Sequence, residues 1–342
     1  MSVVGKNKSL ISSSVNRRTL LKGAAAAGAA AALPMSARTV RAQDPLKIAF
    51  SVPGLNFPFF VHMMDLAEAH AASIGGIEFI RLDGQEAGAP SSTKQTADLE
   101  AVVSQGVHGI VISPNDVNAL APGIQAAIDA DVPVVTVDRN VTGATTLAHV
   151  GADNVEGGRI QGRYILEVVT EGGVIELQGA PGASAAIDRH AGFDEILKGQ
   201  STVSVLASET ANFTRDDAIT VMESLLAAHA DVKAVVAAND EMAFGASEAL
   251  ADAGLSVIIV GFDALPEALI AINEGRMTAT IEQFPGQQAA GAIDILVAKL
   301  RDGTDPAQHD TFLTPGLITK ENLGEAERAA EAGVAPMATP TS

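Results

Sequence analysis

The sequence predicts an α/β protein built as two similar, doubly wound parallel-sheet halves. Three observations carry this. From Asp44 onward, short apolar runs alternate with amphipathic segments of helix length. The repeat is roughly 20 to 30 residues per unit, the βαβ spacing of a parallel sheet. Ten such runs are too many for one flat sheet, so two halves of about five strands each are expected.

The first run, residues 47–52, stops at Pro53-Gly54, a chain breaker. Asn56, Phe57, Pro58, Phe59 and Phe60 follow and read as a loop at the carboxyl end of the first strand. Open α/β sheets bind ligands at such ends. Phe57, Phe59 and Phe60 are three of only 11 Phe in the chain, and together they predict a flat apolar platform. A helix over 62–72 comes next. Strands over 77–82, 109–113, 132–138 and 146–150 then alternate with helices over 93–104 and 119–130. Asp153-Asn154 are good helix N-caps and open the second half. There, strands over 174–178, 203–208, 234–239, 257–262 and 279–283 are expected, with helices over 155–170, 185–197, 216–229, 242–253 and 287–300. Residues from 326 on are rich in Ala and Pro and are expected to be loose.

Composition removes several functions. With no cysteine, disulfides, thiol catalysis, Cys-based metal sites and a lipid-anchored export signal are excluded. The first 42 residues hold seven of the 22 basic residues and none of the 41 acidic ones, so the remainder carries a charge of −26. Such a surface repels nucleic acid and anionic lipid. Asn16-Arg17-Arg18-Thr19-Leu20-Leu21-Lys22 resembles the twin-arginine export motif, and an Ala-rich run too short to anchor in a membrane follows. Val40-Arg41-Ala42 fits a small-x-Ala cleavage site. Residues 1–42 are therefore read as an export signal. No later run approaches the 18 apolar residues of a membrane span.

The strand ends share one feature, a polar residue just past an apolar run. Ser113, Asp138-Arg139, Asn239-Asp240, Asp263 and Gln283 all sit this way. Carboxylates accept two hydrogen bonds, Arg donates in a fixed fork, and Asn or Gln does both. Aromatic faces cover the C–H side of a sugar ring. The set suits a neutral polyol, while Asp240 and Asp216 are assigned to helix caps. Enzyme signatures are sparse. The loop Gly179–Ser184 lacks the Gly-Lys-Ser/Thr of a phosphate loop, no GxGxxG follows the first strand, and there is no HExxH. The seven His are scattered.

Several of these stretches resemble the periplasmic sugar-binding proteins of the ribose-binding type. The likeness rests on Ser51, Asn56 and Pro58-Phe59-Phe60. It extends through VIELQG at 174–179, Arg189 with Gly192-Phe193, LAS at 206–208, NDEMA at 239–243, VGFD at 260–263 and TATIEQFP at 278–285. The resemblance implies two lobes joined by a multi-strand hinge, the type I periplasmic binding protein fold, with crossings at 149–154, 283–285 and 311–318. The lobes would be 43–152 plus 284–312 and 153–283 plus 313–325, with a loose tail over 326–342. By position it puts ligand contacts on Ser51, Asn56, Phe59, Phe60, Asp138, Arg139, Phe213, Asn239, Asp263 and Gln283. Phe57 and Ser113 each stand where that family has an Asn, and Ile187 replaces an Arg. Ser113 remains in the candidate set, and Arg189 joins it as a compensating donor. These departures predict a more apolar pocket than a ribose binder has, or a differently shaped polyol.

The resemblance implies capture of a monosaccharide or small polyol in the periplasm and delivery, by hinge closure, to the permease subunits of an inner-membrane ABC transporter. A chemoreceptor is a further expected partner, and a monomer is expected. No nucleic acid, cofactor, metal or catalysis is expected. The alternative is the effector-binding domain of a sugar-responsive repressor, which needs DNA-binding helices where the export signal stands.

Overall fold

The structure, a computed structural model, describes residues 44–229 and 231–335. The export segment and its cleavage site lie outside the described residues. The chain runs β1 (Leu46–Val52), α1 (Pro58–Ile74), β2 (Ile77–Asp83), β3 (Gln85–Glu86), β4 (Ala89–Pro90), α2 (Ser92–Ser104), β5 (Gly109–Ile112), α3 (Ala121–Asp129), β6 (Val134–Val137) and β7 (Ala148–Ala152). It continues with α4 (Asn154–Val168), β8 (Gly172–Gln178), α5 (Ser184–Leu197), β9 (Val203–Thr210), α6 (Arg215–Ala228), β10 (Ala234–Ala237), α7 (Asp240–Asp252), β11 (Ile258–Val260) and α8 (Pro266–Glu274). Then come β12 (Thr280–Glu282), α9 (Pro285–Asp302), β13 (Asp310–Leu313), β14 (Gly316–Ile318) and a 3-10 turn, Leu323–Glu325.

The first lobe is a sheet of order β13-β7-β6-β5-β1-β2, and the second has order β11-β10-β8-β9. Every pairing within these two sheets is parallel. Parallel sheets are covered on both faces, which is why the central strands β5, β6 and β10 are wholly buried and read as near-unbroken apolar runs, whereas β2 and β9 at the sheet edges keep polar, exposed residues. Ile48, Phe50 and Val52 of β1 join Val111 and Val135 on the face beneath α1 and α9. Ala49, Ile110, Ile112 and Val134 face the other way, onto Leu99, Val102 and Ile124. The second sheet repeats this, with Ile175 and Val235 on one face and Val174 and Val236 on the other. Chain direction across the sheet reverses between β1 and β5, and between β8 and β10. Those switch points leave crevices at the strands' carboxyl ends.

Three connections join the lobes. Asp153 follows β7 and caps α4, accepting from the Glu156 amide. β12 leads through Phe284 into α9, which returns to the first lobe. β13 pairs with β7, and after Pro315 β14 pairs antiparallel with β12. The buried Glu282 carboxylate accepts from the Gln283 and Phe284 amides at 2.8 and 2.7 Å, and Phe284 takes a left-handed φ of 57°.

Several local expectations need correction. Residues 57–60 are not an open loop. Pro58 starts α1, because its fixed φ suits the first helical turn. Phe59 and Phe60 are therefore helical and buried, as is Phe57 beside them. Helix α8 was absent from the sequence reading. Asp240 does not cap its own helix; Asn239 does, accepting from the Met242 amide, while Thr214 rather than Asp216 caps α6. The tail is not loose from residue 326. Ala326 and Ala329 are buried, and Glu327 accepts from the Gly286 amide at the start of α9 while its own amide donates to Glu282.

Helices α4 and α5 touch backbone to backbone. A Cβ on Gly192 would lie 1.9 Å from the Val155 carbonyl oxygen, and one on Gly158 2.0 Å from that of Arg189. Neither contact has a flexible side chain to give way. Gly192→Ala should therefore lower stability by about 3 kcal/mol or more, read from the urea midpoint. An unchanged midpoint would show that the helices can part at little cost.

Candidate functional site

The loops past the strand ends meet at a cavity between the lobes. The first lobe contributes Phe57, Phe59, Phe60, Asp138 and Arg139. The second contributes Ala185, Arg189, Phe213, Asn239 and Asp263, and Gln283 comes from the second crossing. Nine of the twelve residues marked from sequence line this cavity.

Three loop residues hold left-handed backbone: Asp138 at φ 61°, Phe213 at 65° and Asp263 at 111°. Non-Gly residues seldom adopt this region, and such strain gathers at functional loops. At Asp138, a 2.6 Å bond from the Arg139 amide to the Val137 carbonyl closes a three-residue turn. The turn aims Asp138 and Arg139 into the same space.

Arg139 is 5% exposed, with its guanidinium 5.3 Å from the Phe60 ring centroid and 5.1 Å from that of Phe213. A cation held between two rings keeps its in-plane donors free. Its Nε stands 3.8 Å from the Asp138 carboxylate. The second lobe has a matching pair, with Arg189 NH1 3.8 Å from Asp263 Oδ1. Arg189 lies 3.6 Å from the Phe262 ring centroid. Its Nε donates to Asn154 Oδ1 at 2.8 Å, NH1 to the Ala238 carbonyl at 2.6 Å and NH2 to Gln283 Oε1 at 3.3 Å. Gln283 Nε2 donates to Asp263 Oδ1 at 2.6 Å. Asn239 donates to the Phe213 carbonyl, so one side chain fixes both a helix start and an aromatic loop.

Three expected residues do not reach the cavity. Ser51 accepts from Gln95 Nε2 at 3.1 Å, and Ser113 donates to Asp138 Oδ2 at 3.0 Å. Both lie one layer behind, where they orient the lining. Asn56 is exposed and lines an outer pocket with Thr214 and Asp216. Phe57 and Ala185 line the cavity without having been marked. The Phe cluster was a signal for Phe57; a lone Ala at a helix start gives none. Buried Gln95 also escaped the sequence reading. It ties Ser51, the Ser113 carbonyl and the Asn115 amide together. Ile187 is 46% exposed and absent from the lining, whereas Arg189 is 3% exposed and faces in.

The comparisons bear on this architecture. Residues 48–305 match the family described as periplasmic binding protein domain. This chain belongs to the periplasmic binding protein family. The ribose import binding protein of Escherichia coli is 41% identical to it over 249 residues, covering 72% of this chain and 82% of that protein. The galactofuranose-binding protein of Escherichia coli is 32% identical over 277 residues, covering 77% and 84%. Among solved structures, the Caulobacter myo-inositol binding protein, bound to myo-inositol, superposes with a TM-score of 0.78. It is 37% identical, with 84% of this chain and 97% of that one covered. Residues 14–34 match the twin-arginine translocation signal, and the protein is exported to the periplasm.

Burial shapes the electrostatics of this periplasmic binding protein. It pushes the Asp263 carboxyl up to about 7, with Arg189 opposing the rise. Asp138 is likewise raised by burial, against the pull of Arg139. Burial brings Arg139 down to about 10 and also lowers Arg189, which Asp263 partly counters. Asp240, fully buried beside this set, is raised by burial and then by Asp263. Its carboxylate accepts from the Leu265 amide at 2.8 Å and from Thr280 at 2.7 Å, so it holds the start of α8. Each Asp–Arg pair stands just beyond hydrogen-bond contact, with acceptor and donor facing one space. Each can take a hydroxyl that donates to the carboxylate and accepts from the guanidinium.

Proposed function

We propose that this periplasmic binding protein captures a neutral monosaccharide or small polyol and delivers it to the permease of an ABC transporter. The observation that carries the reading is the pair of buried Asp–Arg sets, one on each lobe, facing one cavity between aromatic rings. A ligand hydrogen-bonded by both sets favours closed lobes, because only closure brings the sets together; hinge closure around a ligand is the handling mode of periplasmic binding proteins in general. The lobe boundaries of this reading fall at the three connections, near residues 153, 283 and 314. Relatives that bind ribose, galactofuranose and myo-inositol support a neutral polyol without selecting one. Arg189 takes the donor role that Ile187 leaves empty.

A monomer is the working unit of this reading, and the closed form offers a chemoreceptor the same signal as a permease. The reading assigns no catalytic step. The repressor alternative finds an export signal where its DNA-binding helices would stand. A thermal-shift screen over pentoses, hexoses and linear and cyclic polyols tests the proposal. A ligand at 100 times its dissociation constant should add about 2.7 kcal/mol of stability. If no polyol moves the transition while a charged ligand does, the proposal fails.

A further inference from the structure

The lobes also touch outside the cavity. The Val117 amide of the first lobe donates to the Gly182 carbonyl of the second at 2.7 Å. The Asn140 amide donates to Ser184 Oγ, at the start of α5, at 2.8 Å. Neither Gly182 nor Ser184 lines the cavity. The first-lobe side is pre-formed: Asp116 Oδ1 accepts from the Asn118 and Ala119 amides at 2.8 and 2.7 Å, and the Thr142 amide donates to the Val117 carbonyl at 2.8 Å. The other oxygen of Asp116 rests against Gly182, where a Cβ would lie only 2.0 Å away. Gly182 has no left-handed φ, so its missing side chain serves this close approach and not a turn.

We infer that the Gly179–Ser184 loop is a latch between the lobes, and that Gly182 and Ser184 set affinity by holding the closed form without touching the ligand. The inference rests on the binding function proposed above. Its physical content is a population. When only the closed form binds tightly, the apparent dissociation constant is the intrinsic one divided by the closed fraction. A latch residue must then change affinity for every ligand by one factor. A cavity residue changes it by a factor that depends on the ligand.

The test uses the mature protein with and without ligand. Ser184→Ala removes one interlobe hydrogen bond and should raise the dissociation constant roughly fivefold, equally for two unlike polyols. Gly182→Ala should weaken binding by more than tenfold and enlarge the radius of gyration of the ligand-free protein in small-angle scattering. Asp116→Ala should restore closure in the Gly182→Ala background, because the nearest atom left to the new Cβ would then be the residue-116 Cβ, at 3.4 Å. Unequal factors for the two ligands would place the loop in the binding site and overturn the latch. So would identical ligand-free scattering of the wild type and Gly182→Ala, or failure of the Asp116→Ala rescue. The scattering comparison needs no ligand, so it stands even if the screen finds none.

Discussion

Asp263→Ala is expected to raise the dissociation constant for the bound polyol by about a hundredfold or more, near 3 kcal/mol, and Asp138→Ala by a similar factor. Each carboxylate is almost wholly buried and stands 3.8 Å from its own Arg. Removing one leaves a buried guanidinium and a ligand hydroxyl short of an acceptor, a larger loss than an average hydrogen bond. Asp263 also receives Gln283, which in turn accepts from Arg189, so its loss loosens three side chains at once. Asp240→Ala is the control. Its carboxylate holds the Leu265 amide and Thr280, so it should cost stability more than affinity. Calorimetry on the three variants separates these roles. Intact binding in both Asp138→Ala and Asp263→Ala would remove the cavity as the ligand site.

The contrast between Asp240 and Asp263 shows where sequence reading succeeds. Parallel strands leave an apolar signature, so nine of the ten runs marked strands of the two parallel sheets with end errors of a few residues; the tenth is β12, which pairs antiparallel with β14, and the edge strand β13 carried no such run. A polar residue at such a strand's end marks the crevice, which is how Asp138, Arg139, Asn239, Asp263 and Gln283 were found. The same signal does not tell which layer a side chain occupies. Ser51 and Ser113 end strands just as Asp138 follows one, yet they bond to Gln95 and Asp138 behind the lining. That depends on a helix, α2, whose position no local pattern gives. Asp240 shows the same limit, since its partners Leu265 and Thr280 are distant in sequence. Helix α8 escaped because nine residues after a strand-end loop read as loop. The packed tail escaped because its anchor is Glu327, whose partners Gly286 and Glu282 lie 40 or more residues away.

Ligand-free stability should fall as pH rises from about 4 to 7, and ligand binding below pH 7 should release a proton. Burial holds the Asp263 and Glu282 carboxyls near 7 in the folded protein, well above their ordinary values of 3.8 and 4.5. A group whose folded pKa is raised gives stability that is fully present below its unfolded pKa and lost as pH climbs through the folded one. At most, Asp263 contributes about 4 kcal/mol and Glu282 about 3 kcal/mol. The thermal midpoint of the ligand-free protein should therefore be lower at pH 7.5 than at pH 5, and Asp263→Asn should flatten part of that slope. Ligand acts in the opposite sense. A hydroxyl donating to Asp263 favours the ionised carboxylate, with the Arg189 charge already beside it. At pH 6 the ligand-free carboxyl is mostly protonated, so binding must expel that proton. Affinity should then weaken by up to about tenfold per unit as pH drops below 7. Titration calorimetry at pH 6 in two buffers of different ionisation enthalpy reads the proton directly. Equal heats in both buffers would show that Asp263 keeps its proton in the complex, which would make it a donor to the ligand and reverse the role assigned to it here.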